Sequence, residues 1–112
     1  MRSTKKLIAI LLIAALFSSF CAQALGNVVP ELSFTGTTAN CSVSIKDRGK
    51  YINATLELWQ GSTMVDSWSQ SGYSSVTISG THVCISGVTY TLKVSGTSGG
   101  VTISYTPVSG SC

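Results

Sequence analysis

The chain has 112 residues, 44% of them hydrophobic and 10% charged, with a formal net charge of +3. Arg2, Lys5 and Lys6 supply the whole excess, because residues 25–112 set Lys46, Arg48, Lys50 and Lys93 against Glu31, Asp47, Glu57 and Asp66. A neutral body excludes nucleic acid, which is held by clustered Lys and Arg, and with no basic amphipathic stretch it also excludes an anionic membrane surface.

The first predicted element is a leader. Three basic residues precede an apolar run from Leu7 to Phe17, and Ala22-Gln23-Ala24 follows in the small-x-small pattern of a signal-peptidase site. Residues 1–24 are therefore expected to be a cleaved signal peptide, and the protein to be secreted to the extracellular space. The apolar run is shorter than the roughly 20 residues that span a bilayer. Phe20, ahead of Cys21, argues against a lipid anchor there. Residues 25–30 read as a flexible lead-in and 31–112 as a single domain.

Ser, Thr and Gly make up more than two-fifths of residues 25–112, yet apolar residues alternate with them at the period of two that marks β-strands. Leu32 and Phe34 share a face in the first predicted strand, and Ala39, Cys41, Val43 and Ile45 in the second. Ile52, Ala54, Leu56 and Leu58 line the third, opposite Asn53, Thr55 and Glu57. A fourth, around Met64 to Trp68, has ambiguous parity. Val76 and Ile78 mark the fifth, Tyr90, Leu92 and Val94 the sixth, and Val101, Ile103 and Tyr105 the seventh. Turn chemistry separates them at Lys46–Lys50, Gln60–Thr63, Ser71-Gly72, Ser79-Gly80, Ser86-Gly87 and Gly96–Gly100. Pro107 to Ser111 reads as a loose tail. With no helical periodicity, the expected fold is an all-β, seven-stranded antiparallel two-sheet sandwich, in which the apolar faces of two sheets bury each other.

The stretch Gly87-Val88-Thr89-Tyr90-Thr91-Leu92-Lys93-Val94 resembles the sixth strand of immunoglobulin-like and fibronectin type III domains. Together with Leu32 to Cys41 and Ala54 to Trp68, it makes residues 31–106 similar to a group of small exported bacterial proteins with an Ig-like sandwich and no assigned activity. The resemblance implies a tyrosine corner, with the Tyr90 hydroxyl turned back to the backbone of the preceding connection. It implies nothing about function. The chain departs from true immunoglobulin domains in having Leu92 where their second bridging cysteine stands.

In such a sandwich Cys41, Cys84 and Cys112 all fall at one pole, and any two could pair. Cys41 with Cys112 is preferred, because it closes the longest loop and ties down the tail, with Cys41 to Cys84 as the alternative. The odd cysteine could support a disulfide-linked dimer, although a buried, inert thiol and a monomer are the simpler expectation.

Chemistry finds little footing. His82 is the only histidine, and an H-x-C spacing with Cys84 is two ligands of the four a structural zinc needs, so no metal and no cofactor are expected. His82 has no carboxylate nearby in sequence to orient it as a base, so it is expected on an exposed loop. Glu57 and Asp66 are the one carboxylate pair that a hairpin at Gly61-Ser62 would make neighbours, on an exposed cross-strand face. No catalytic residue is expected, and the chain reads as a non-enzyme. The aromatics are the candidate ligand-binding residues: Trp59, which shares its outward parity with Tyr51, together with Trp68 and Tyr73. Trp and Tyr offer large apolar area with a polar tip, suited to stacking on sugar rings or docking a protein. The sequence thus predicts a binding module for an unknown protein or carbohydrate; the alternative is a small secreted effector, a toxin or inhibitor.

Overall fold

A computed structural model describes residues 26–112; the expected leader lies outside the described residues. The fold is all-β and antiparallel, with six strands in one hydrogen-bonded sheet: β1 (Glu31–Thr35), β2 (Thr38–Gln60), β3 (Thr63–Val83), β4 (Thr89–Ser98), β5 (Val101–Thr102) and β6 (Val108–Ser111). The seven short strands of the sequence reading are merged. Predicted strands two and three are one strand, β2, and predicted strands four and five are one strand, β3, joined in a long hairpin at Gly61-Ser62.

The merger turns on residues 46–51. Lys46 pairs with Ser75 and Tyr51 with Tyr73, so Asp47 to Lys50 bulge opposite Ser74 alone. Inward positions are odd in β2 before the bulge (Ala39, Cys41, Val43, Ile45) and even after it (Ile52, Ala54, Leu56, Leu58). An irregular insertion of this kind lets a strand bend without ending. Expected as a turn between strands, the segment is anchored within one: Asp47 is buried and accepts a 2.7 Å hydrogen bond from Ser98 Oγ, while the Gly49 N–H donates to Ser74 Oγ at 3.0 Å.

The bulge divides the sheet into two halves. In the first, Thr38–Lys46 lies between β1 and Ser75–Val83; in the second, Tyr51–Gln60 lies between Thr63–Tyr73 and β4, with β5 and β6 beyond β4. Their inner faces share one hydrophobic core, in which Ile45, Ile78, Ile52, Leu56, Leu58, Tyr90 and Leu92 are almost wholly buried. Each large aliphatic side chain taken from water contributes about 1.5–3 kcal/mol. Trp68, on the inner side of the second half, reaches across to Gly80 in the first, where any Cβ would overlap the indole. Gly96 has the same function for backbone: at φ 137° it lies so close to Asn53 that a side chain cannot be fitted.

Both ends of the described residues depart from expectation. The tail is strand β6, pairing Val108 with Leu92 and Ser111 with Thr89. In the lead-in, Val28 and Pro30 are buried, and Val28 donates its N–H to Ser104 (3.0 Å) and accepts that of Thr106 (2.9 Å). The predicted seventh strand shrinks to Val101–Thr102, after which Ile103 enters the core. Cysteine pairing is also corrected. Cys84 and Cys112 form the disulfide, their Cα atoms 6.5 Å apart, and Cys41, not its partner as preferred above, is free. Alternation explains why: Cys41 points inward from β2, whereas β6 carries Cys112 alongside the segment that precedes β4, with Gly87 N–H donating to the Cys112 carbonyl at 3.2 Å.

Candidate functional site

The predicted aromatic trio is split. Trp68 faces inward and packs on Gly80, so it belongs to the interior. Trp59 and Tyr73 both lie on the outer face of the second half, but at opposite ends: Trp59 pairs with Met64 near the hairpin turn, and Tyr73 with Tyr51 beside the bulge. Trp59 is already engaged, its Nε1–H donating to Glu57 Oε1 at 3.0 Å and Lys93 Nζ sitting 4.3 Å from its ring centroid. Neither Tyr51 nor Tyr73 has such a partner among the described residues. Tyr51 is 54% and Tyr73 68% exposed, directly opposite each other in the ladder. Cross-strand partners have Cβ atoms about 4.5–5.5 Å apart, so the two tyrosines rise from one patch of the outer face, a platform for a ligand.

From that platform, rows of polar side chains run along the strands. Ser71 Oγ donates to Asn53 Oδ1, Thr55 and Ser69 hydroxyls meet at 2.8 Å, Ser95 Oγ donates to Glu57 Oε2 at 3.0 Å, and Thr91 and Ser109 hydroxyls meet at 2.9 Å. Outward parity on β2, β3 and β4 accounts for the rows: these are the Ser and Thr positions that alternate with the core. The outer face of the first half is built alike, with an open groove lined by Glu31, Ser33, Asn40, Ser42, Ser79 and Thr81, but it has no exposed aromatic. Tyr51 and Asn53 were legible as outward residues of one strand. That Tyr73 would stand beside Tyr51 depended on the one-residue register shift between Leu58 and Trp59 in the hairpin, which no local pattern encodes.

A second cluster lies inside. His82 is on β3, half-buried, not on an exposed loop, and its Nδ1 lies 3.1 Å from Asp66 Oδ2 across the two halves of the sheet. Asp66 is therefore not the neighbour of Glu57: it pairs with Leu58 and points inward, while Glu57 points outward. The hairpin brings their strands together but puts the two carboxylates on opposite faces. The His82 ring tilts against Tyr90, at 6.4 Å between centroids. Tyr90 is buried, and its hydroxyl accepts the N–H of Ile85 at 3.0 Å, in the connection that precedes β4.

Cys41, 2% exposed, lies beneath this pair. Burial, reinforced by the negative charge of Asp66, pushes its thiol up to about 11. At neutral pH it is protonated, and a thiol without its thiolate is neither a good nucleophile nor a good ligand. No three His, Cys, Asp or Glu side chains gather to hold a metal ion among the described residues.

Compared with protein-family models, curated proteins and solved structures, the chain finds no match.

Proposed function

We propose that the protein is an exported, non-catalytic binding module that holds a neutral carbohydrate chain on the outer face of the second half of its sheet. The observation that carries this reading is the paired, exposed Tyr51 and Tyr73 at the head of hydroxyl and amide rows, whose carboxylate, Glu57, is already tied to Trp59 and Ser95. Sugar rings present apolar C–H faces that stack on aromatics and hydroxyls that exchange hydrogen bonds with Ser, Thr and Asn, and a flat sheet suits an extended chain. The short segment between Tyr51 and Trp59 spans roughly 25 Å at about 3.3 Å per residue, enough for several sugar units. The shared core between the halves supports the finer fold reading as well, a layered Ig-like or fibronectin-like sandwich.

Affinity electrophoresis through gels containing neutral glucans, chitin oligomers, mannans and galactans tests it. Retardation by at least one is expected, with a tenfold or greater loss in Tyr73→Ala and little change in Ser79→Ala on the other outer face. Free migration in every gel overturns the reading, and growth inhibition by the same purified protein would then point to the effector.

A further inference from the structure

The β3 strand is 21 residues long, and among the described residues β2 is its only strand partner. Its other side ends the sheet in both halves. Edges of that length are ordinarily blunted with Lys, Pro or outward charge, because their free N–H and C=O groups invite another strand. From Thr63 to Val83 there is no Pro, Lys, Arg or Glu, and its one carboxylate, Asp66, and its one histidine, His82, turn inward onto each other.

We propose that two copies of this chain pair antiparallel along their β3 edges, as a symmetric dimer with its two-fold axis at Ser74. The bend selects the partner. A straight foreign strand can follow only one half of β3, whereas a second copy rotated about the line bisecting the halves lays its first half beside the second half of its mate. Ser74 is the pivot already built into the strand, at φ 69° and without a one-to-one partner in β2. Residues equidistant from it then meet. Asp66 stands beside His82 of the second copy, Trp68 beside Gly80, and Ser69 beside Ser79 on the outer surface. The Ser69–Ser79 contact repeats the hydroxyl pairing that Ser69 already makes with Thr55.

The size is sufficient. About 70 Å of edge on a sheet about 10 Å thick gives roughly 700 Å² per copy, about 1,400 Å² in all, within the range of about 1,200–2,000 Å² for specific interfaces. This association replaces both the monomer and the cysteine-linked dimer of the sequence reading, since Cys41 is buried in the core.

Sedimentation velocity on the purified protein gives the first test: a dimer is expected at micromolar concentration, and a monomer up to several hundred micromolar overturns the proposal. Cross-linking gives the register. Ser69→Cys mixed with Ser79→Cys should form an interchain disulfide while neither variant does so alone; a dimer that links equally well in each variant alone, or not in the mixture, overturns it. Both positions are exposed on outer faces, so the substitutions leave the core intact. Glycan binding plays no part in either measurement.

Discussion

The two sides on which the halves of the sheet approach each other are finished by different means. On one, β6 pairs with β4 and comes against β1, Phe34 packs over Gly110, the Cys84–Cys112 disulfide ties the tail to the segment before β4, and Val28 is stitched to Ser104 and Thr106. On the other, β3 ends both halves, and only side chains bridge the gap: Trp68 on Gly80, and Asp66 with His82. Backbone pairing satisfies N–H and C=O groups as well as covering the core, whereas side-chain bridges leave the backbone groups of the edge unpaired. The closed side is thus where stability is concentrated. The open side keeps free the groups that another chain can use.

Breaking the closed side should have the largest effect. Cys84→Ser opens a loop of sequence separation 28, which is worth about 3–4 kcal/mol on the chain-entropy account. A urea midpoint that stays within error of wild type would show the closed side to be held by β6 alone.

Beneath the open side, Cys41 should make stability depend on alkaline pH. The folded thiol keeps its proton to about 11, while the unfolded chain releases it from about 9. The contribution is thus complete below pH 9 and is lost as pH rises toward 11, by about 2–3 kcal/mol. Urea unfolding of wild type and Cys41→Ala from pH 8 to 11 isolates it, since the variant lacks the thiol and its advantage should grow over that range. Parallel pH curves would remove the role assigned to burial here.

The smallest effect belongs to the side-chain bridge itself. Gly80→Ala drives a methyl group into the Trp68 ring and should cost about 1–3 kcal/mol by overpacking, with a red-shifted tryptophan emission as the indole moves outward. An unshifted spectrum with unchanged stability would mean that the two halves meet more loosely on this side than on the closed one.

Much of this was legible residue by residue. Alternation from Leu32 onward announced strands and sorted Ile52, Leu56 and Leu58 inward from Asn53, Thr55 and Glu57, because a pleated strand has only two faces. The same rule did not reveal that Lys46–Lys50 bends a strand instead of ending it. A turn and a bulge use the same Gly and charged residues, and the change from odd to even inward parity fits either. The ambiguous stretch at Met64 to Trp68 had the same origin: the register shift opposite Leu58 and Trp59 puts Met64 outward while Asp66 and Trp68 point inward. Of the candidate site, Tyr73 and the outward face of Tyr51 are legible in sequence, but the inward turn of Trp68 onto Gly80 is not, since an indole on a strand looks the same whether it covers a glycine or solvent.

Sequence by itself determined the class of structure and its chemistry: β-strands with a dry face and a hydroxyl-bearing one, and charges that balance over residues 25–112. These follow from composition and period, which act locally on each strand. Tertiary structure decided the pairing of Cys84 with Cys112, the meeting of His82 with Asp66, and the placing of Tyr51 beside Tyr73. Each of these joins residues far apart in the chain, and their distance is set by how a 23-residue strand bends over its own core and in what register its neighbours follow.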